Sequence, residues 1–222
     1  QQVFEWLYCA PPVPASAAAG AACAVTLVTE VRLMPLAGSP NLVRASITDI
    51  TERKRAQTIM AGERDIFGRI AADAPLREVL EATVTLVESI CSDFIVTISR
   101  LGQEGRNFVE VIGERLPAAL RAAEELAPID VRNGSSAAAV YLGRAVLVAN
   151  VRTDPYWQRR RELALQVGLA AAWALPIKAA GGRVLGALTV YRAQIGRPLD
   201  PDLRFITHAA RLAGIAMEYD QG

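Results

Sequence analysis

The segment from Ala45 to Arg55 constrains the fold of this chain most, because a strand there leads directly into a helix. Ala45 to Ile50 alternates apolar and polar residues, which is the pattern of a strand with one covered face. Thr51 is a preferred N-cap residue, and Glu52 suits the positive end of a new helix. The sequence therefore predicts a strand that passes without a loop into a capped helix.

The string Asp-Ile-Thr-Glu-Arg-Lys-Arg at residues 49–55 resembles the end of PAS sensor domains. In that family the last strand runs straight into a signalling helix, which carries a conformational change to the next domain. Upstream of it, β-branched and alternating residues predict an antiparallel meander of three strands at 3–9, 25–36 and 41–50. The resemblance implies that residues 1–50 are the C-terminal strands of a partial PAS domain.

Composition limits the classes of partner and compartment. A chain of 222 residues that is 52% hydrophobic can bury the core of one or two domains. Its formal net charge of +1 gives no global attraction to nucleic acid or to an anionic membrane, so neither is expected as a partner. Prolines interrupt the only candidate signal peptide, in a segment at 11–22 that is predicted to be flexible. The three scattered cysteines, Cys9, Cys23 and Cys91, argue against a disulfide framework and favour a cytoplasmic protein.

Residues 51–72 have the pattern of a helix that links two modules. Apolar and inward positions recur at alternating steps of three and four residues, at Ala56, Ile59, Glu63, Ile66 and Ile70. This is the spacing of a coiled coil, although the repeat is short and one of its inward positions is a glutamate. Two interpretations stay open: a coiled coil with a second copy, or one amphipathic helix that packs on its own domain.

The rest of the chain, residues 73–222, predicts an α+β fold. A helix capped by Asp73 is followed by two strands, two helices, one strand, a helix capped by Asp154, a two-strand hairpin and a last helix capped by Asp200. This order favours an antiparallel sheet with helices on its faces. The predicted strands are 94–101, 108–112, 145–151, 170–178 and 183–192, and the predicted helices include 116–126, 134–142 and 154–166.

Four strings in this part resemble GAF domains of bacterial proteins that also carry PAS and GGDEF/EAL modules. They lie at 148–157, 163–169, 173–177 and 182–191, and the resemblance covers about 64–219. It implies a GAF-like antiparallel sheet, a pocket for a small molecule, and regulation of a downstream GGDEF/EAL domain that makes or degrades cyclic di-GMP. In that subgroup a cysteine usually stands where this chain has Ser136.

Catalytic and metal-binding motifs are missing from the sequence. His208 is the only histidine, and no second histidine or cysteine cluster completes a zinc site around it. The sequence contains no nucleophile elbow, phosphate loop, GGDEF string or EAL string. We therefore expect a non-catalytic sensory fragment without a metal site, whose cofactor, if any, the sequence does not name.

Six residues are the candidates for a ligand site. Two tryptophans with a tyrosine and two serines have the composition of an apolar pocket with a few polar groups, and an arginine one turn beyond Trp157 would meet an anionic group. The competing interpretations are plain core packing for the tryptophans and a solvated face for the arginine. The candidates are Ser135, Ser136, Tyr156, Trp157, Arg160 and Trp173.

Three functions fit these patterns. The first is a sensor that relays a ligand signal through its helices. The second is an interaction module without a ligand, which only dimerises; in both cases a parallel homodimer would use residues 56–70 and 203–217. The third is a methionine sulfoxide reductase of the GAF type, which the sequence disfavours because that chemistry needs pocket cysteines and Cys91 is the only cysteine within the domain.

Overall fold

The computed structural model describes residues 2–9, 26–36 and 39–220. The first strands are β1 (Gln2–Cys9), β2 (Thr26–Leu36) and β3 (Ser39–Asp49). They form a three-stranded antiparallel sheet in the order β1-β2-β3, so the predicted meander is present. The predicted flexible segment at 11–22 lies outside the described residues.

The junction between β3 and helix α1 (Thr51–Ala71) is continuous, as predicted, but Thr51 is not its N-cap. The N-cap position is Ile50, and Thr51 is the first helical residue. Oδ1 of Asp49 accepts hydrogen bonds from the Thr51 amide at 2.9 Å and from the Thr51 hydroxyl at 2.6 Å, which lowers the pKa of Asp49. The same hydroxyl accepts a bond from the Val28 amide at 2.9 Å. Thr51 therefore fastens the helix start to the small sheet.

The second part of the chain is an α+β fold, as predicted. Its sheet has five strands in the order β5-β4-β8-β7-β6, and all neighbours are antiparallel. The elements after α1 are α2 (Leu76–Ile90), β4 (Ile95–Leu101), β5 (Phe108–Ile112), α3 (Ala118–Leu126), α4 (Ser135–Leu142), β6 (Val146–Val148), a 3₁₀ turn (Pro155–Trp157), α5 (Arg161–Gln166), β7 (Ala171–Lys178), β8 (Val184–Arg192) and α6 (Asp200–Tyr219).

Of the four predicted helix caps, which include Thr51, only Asp154 is correct. The side chain of Asp154 accepts a hydrogen bond from the Tyr156 amide and caps the 3₁₀ turn. Asp73 does not cap α2, because it lies in the left-handed region at φ 56° and Pro75 occupies the N-cap position. Asp200 is the first residue inside α6 rather than its cap. The single helix predicted at 154–166 is divided between the 3₁₀ turn and α5.

Each face of the five-stranded sheet is covered by a different set of helices. α2 and α6 pack on the face that carries Val96, Ile98, Leu188 and Val190. α3, α4, the 3₁₀ turn and α5 cover the opposite face, where Tyr191 lies. Successive side chains of a strand point to opposite faces, and helices cover each face, so the side chains on both faces of the central strands are buried. The sheet therefore contributes to two separate cores, of which the second contains the candidate site.

Helix α1 packs on its own domain through the predicted stripe. Ile66 is buried, and Ile59 and Ile70 pack against the α2/α6 core, whereas Ala56 is exposed. The second interpretation of the helix, an amphipathic helix on its own domain, therefore describes these residues. Apolar side chains on other positions of α1 are exposed, with Met60 at 66% and Phe67 at 48%.

One ion pair and one glutamate–histidine contact hold α1 beside α6. Arg55 contacts Asp202 at 2.5 Å, and Glu63 contacts His208 at 3.0 Å. Residue numbers increase along both helices from the first pair to the second, so α1 and α6 run in the same direction. None of the helices in the described ranges is both long and apolar enough to cross a bilayer.

Cys91, at the end of α2, is buried on the α2/α6 face and is disulfide-bonded. The cysteine count argued against a disulfide framework and did not anticipate that Cys91 is bonded. A count shows only whether all cysteines can be paired; it does not show which ones the fold brings together.

Hydrogen exchange should be faster in β2 and β3 than in β4 and β8. Residues 42–49 are exposed along β3, whereas β4 and β8 are buried on both faces. An exposed strand such as β3 buries too little apolar surface to offset the entropy of ordering it. Amide exchange followed by mass spectrometry tests this at a protein concentration low enough for light scattering to show a monomer. Equal protection of β3 and β8 in that monomer would contradict the prediction.

Candidate functional site

The candidate site begins where α4 starts beneath the 3₁₀ turn. Gly134 precedes α4 with φ at +97°, a conformation that favours glycine, and its amide donates to the Tyr156 carbonyl at 2.8 Å. A Cβ atom at Gly134 would lie 3.4 Å from Arg160 Nη2 and 3.6 Å from Trp157 Cζ2. The glycine therefore lets the Trp157 and Arg160 side chains lie directly over the start of α4.

Trp157 is fixed by one hydrogen bond and one aromatic contact. Its indole Nε1 donates to Ser135 Oγ at 3.0 Å, and that hydroxyl donates to the Ala172 carbonyl at 3.1 Å. The indole meets the Tyr191 ring edge-on, with centroids 6.3 Å apart. Trp157 is 1% exposed, so it is part of the second core in this conformation.

A buried polar cluster lies next to Trp157, on the same face of the sheet. Glu124 of α3 is 1% exposed and accepts hydrogen bonds from Ser99 Oγ at 2.5 Å and from the Tyr191 hydroxyl at 2.6 Å. Arg160 is 7% exposed; its Nη1 lies 3.9 Å from Glu124 Oε2, and its Nη2 donates to the Asn133 carbonyl. The cluster places a carboxylate, a guanidinium and two hydroxyls beside an indole.

The environment of Tyr191 keeps its hydroxyl protonated. Burial raises the pKa of Tyr191 well above its usual value, and the neighbouring Glu124 raises it further. Both effects disfavour a phenolate. Tyr191 therefore remains a hydrogen-bond donor to Glu124 across the neutral pH range.

The structure brings most of the predicted site residues together. Trp157 and Ser135 are in direct contact, and Arg160 lies beside them. Ser136 is buried at the same helix start, and the ring of Tyr156 packs at the edge of this core, with its hydroxyl 3.5 Å from Arg144 Nη2.

Trp173 does not belong to this set. It pairs in register with Val190, so it points to the face opposite Tyr191. There its Nε1 donates to the Gly196 carbonyl at 3.0 Å, its ring meets Phe94 edge-on, and the Arg192 guanidinium lies 5.4 Å from its centroid. The prediction that Trp157 and Trp173 line one pocket is incompatible with this geometry.

Sequence analysis missed three members of the cluster, Glu124, Ser99 and Tyr191. Glu124 lies one turn after the buried Leu120 on α3, and this carboxylate on an apolar helix face was the available signal. Ser99 alternates with apolar residues along β4 and is indistinguishable in sequence from a residue on a solvated face.

Neither thiol chemistry nor metal binding is favoured by the described side chains. Cys91 lies in the core on the α2/α6 face, across the sheet from Trp157, and position 136 is a serine. Within the part of the chain that the structure describes, no three His, Cys, Asp or Glu side chains are grouped as metal ligands.

Comparisons with known proteins agree on the family. The family model described as "GAF domain" matches residues 73–218. A methyl sulfide methyltransferase-associated sensor of Methanosarcina acetivorans is 34% identical over 175 residues, which cover 79% of this chain but 18% of that protein. The chain therefore spans less than a fifth of this relative's length.

Two solved structures have a similar fold. Free methionine-R-sulfoxide reductase from Neisseria meningitidis, in complex with its substrate, matches with a TM-score of 0.60 and 14% identity, over 79% of this chain and 95% of that one. A GAF sensor protein from Burkholderia vietnamiensis matches with a TM-score of 0.59 and 15% identity, over 76% of this chain and 99% of that one. At these identities the likeness concerns the fold.

Proposed function

The chain belongs to the GAF domain family, and on that premise we propose that it is a sensory module that binds a small molecule beside Trp157 and relays binding through its helices. The observation that carries the proposal is the buried cluster of Glu124, Arg160 and Tyr191. Charged groups in a core lower stability unless they are well paired. Packing alone would be served by apolar residues, so the charged groups indicate a further role. Such clusters are concentrated at functional sites.

The cover over the cluster supports a binding role. Residues 149–160 contain turns and one short 3₁₀ segment, whereas the opposite face of the sheet is covered by the long helices α2 and α6. Irregular segments rearrange at lower cost than helices packed along their full length. A ligand would enter by moving this cover.

The helices provide a route for the relay. α1 and α6 run in the same direction. A conformational change at the start of α1 would therefore be transmitted along both helices to the end of α6. α1 has 21 residues and α6 has 20, so each is about 30 Å long. The Arg55–Asp202 ion pair and the Glu63–His208 contact would couple their movements.

We place this module within a longer signalling protein. The relative from Methanosarcina acetivorans is named a sensor and is several times longer than the aligned part. By resemblance, residues 1–50 are a partial PAS domain, 51–72 a signalling helix and 73–222 the GAF domain. A GGDEF/EAL output domain after residue 222 and a cytoplasmic location complete the proposal.

Native mass spectrometry of the purified protein tests the sensory function. We expect a bound small molecule that is released on denaturation, together with the subunit count. Protein that carries no molecule, and gains none from a cell extract of small metabolites, would leave only the alternative of an interaction module. That alternative has its own support in the exposed apolar residues of α1 and in the dense packing around Trp157.

A homodimer through α1 is expected in both cases, and Met60→Glu with Phe67→Glu should convert it to monomer. The predicted stripe of α1 is occupied within its own domain, so a second copy would contact Met60 and Phe67, which are exposed. Light scattering at tens of micromolar measures the change. Ile195→Glu, at an exposed apolar residue outside the helices, is the matched control and should leave the dimer intact. Parent protein that is monomeric in this range would contradict the dimer.

A further inference from the structure

Glu124 is the fixed member of the buried cluster. It lies on α3, and its two hydroxyl donors, Ser99 and Tyr191, come from β4 and β8. These two strands are neighbours near the centre of the five-stranded sheet, and side chains on both are fully buried. The position of the carboxylate is therefore set by the most rigid part of the domain.

Arg160 is held to the cluster by fewer bonds than Glu124. It occupies the N-cap position of α5, a helix of six residues, directly after the irregular cover. Its Nη1 lies 3.9 Å from the Glu124 carboxylate, which is beyond hydrogen-bonding distance. Among the described residues, none accepts a hydrogen bond from its buried Nε. Arg160 therefore provides a nearby positive charge without completing the coordination of Glu124.

Aromatic rings lie beside the same carboxylate, and an unpartnered hydroxyl lies on the same face of the sheet. The Trp157 and Tyr191 rings meet at 82° and form a corner beside Glu124. Thr189 lies two residues before Tyr191 on the same face of β8, and its buried Oγ1 has no hydrogen-bond partner within the described residues. A carboxylate with adjacent aromatic rings is the combination that recognises organic ammonium groups.

We propose, on the basis of the proposed function, that the site takes a small organic ammonium ion, which displaces Arg160 from Glu124 and lies against Trp157 and Tyr191. Arg160 is then an internal substitute for the ligand. It provides the positive charge beside the buried carboxylate in this conformation, and it is released when a better-fitting cation arrives.

The opposite charge is disfavoured by the same geometry. An anion bound to Arg160 would lie next to the Glu124 carboxylate, and like charges at that distance in a buried site repel each other strongly. An anion would also have to displace the carboxylate that is anchored by two strands. Exchange of one cation for another leaves the net charge of the site unchanged.

Displacement would also transmit binding to the cover. Arg160 donates to the Asn133 carbonyl, the Arg159 amide donates to the Arg132 carbonyl at 3.2 Å, and the Gly134 amide donates to the Tyr156 carbonyl at 2.8 Å. These bonds join the cover to the loop before α4. Release of Arg160 removes one of them and frees the others to rearrange.

Three probes of one shape and different charge test the proposal: choline as the cation, 3,3-dimethylbutan-1-ol as the neutral compound and 3,3-dimethylbutyrate as the anion. Calorimetry at constant ionic strength should detect saturable binding of choline and none of the other two. Choline should bind Arg160→Met about tenfold more tightly than the parent, because the variant lacks the internal competitor. Glu124→Gln should lose choline binding.

Two neighbouring variants and one spectroscopic signal serve as controls. Arg159→Met and Glu125→Gln change the adjacent, more exposed residues and should bind choline as the parent does. The parent protein also gives a readout that needs no variant to fold: choline should shift the indole N–H resonance of Trp157, identified by its loss in Trp157→Phe.

Three results would overturn the proposal. The first is that the anion binds. The second is that well-folded Arg160→Met binds choline more weakly than the parent does. The third is that neither the parent nor that variant binds choline. The proposed sensory function fails separately, because native mass spectrometry tests for a molecule of any charge. A neutral or anionic molecule found there would preserve the sensor and exclude the exchange of cations.

Discussion

Trp157→Ala is expected to lower the free energy of unfolding by about 3–5 kcal/mol, the usual range for removal of a large aromatic side chain from a core. Trp157 is 1% exposed, contacts the Tyr191 ring and donates to Ser135. Its loss would leave a cavity beside Glu124. Urea unfolding measures the change, and Trp157→Phe, which keeps most of the volume, should lose substantially less.

The same variant decides between the two interpretations of Trp157. Thermal melts of the parent and of Trp157→Ala with a library of small molecules show whether a ligand raises the melting temperature and whether the effect needs the indole. A large loss of stability together with no ligand-dependent shift in the parent would leave only the interaction module. A variant that is as stable as the parent would show that Trp157 is not part of the core.

Gly186→Ala is expected to destabilise the domain by about 1–3 kcal/mol, the usual cost of forcing extra volume into a packed interior. A Cβ atom at Gly186 would lie 2.2 Å from the Ser99 carbonyl oxygen, which is backbone and cannot turn aside. β4 and β8 would have to separate there. Because Ser99 also donates to Glu124, the change should disturb the polar cluster as well.

Gly181→Ala is the matched control for Gly186→Ala. Gly181 lies in the turn that precedes β8, and a Cβ atom there would have no heavy atom within 4 Å. Chemical unfolding of both variants under the same conditions gives the difference. Equal stability of the two variants would show that the strands at Gly186 can separate without cost.

The sequence predicted the local elements well because the signals are local. The junction at Ala45 to Thr51 was visible as a strand pattern followed at once by a helix start, and the structure has β3 and α1 there. Its details differed, because Thr51 uses its hydroxyl to bind Asp49 and Val28 rather than to cap. The choice among hydrogen-bond partners depends on a strand more than twenty residues away.

The candidate site was predicted only in part. Ser135, Trp157 and Arg160 were singled out by their residue types near helix starts, and they do lie together. Trp173 was placed with them because a buried strand gives no sign of which face each residue occupies. Its register with Val190 assigns it to the other core, and only the paired strand fixes that assignment.

By itself, the sequence determined the order of helices and strands, the α+β class and the resemblance to GAF domains, because periodicity and short motifs are carried by neighbouring residues. The tertiary structure alone decided the polar cluster. Glu124 meets Ser99 across 25 residues of sequence and Tyr191 across 67. In sequence, a hydroxyl that alternates with apolar residues indicates a solvated face. It becomes part of a buried site only because α3 and the cover around Trp157 close over the sheet and exclude water from it.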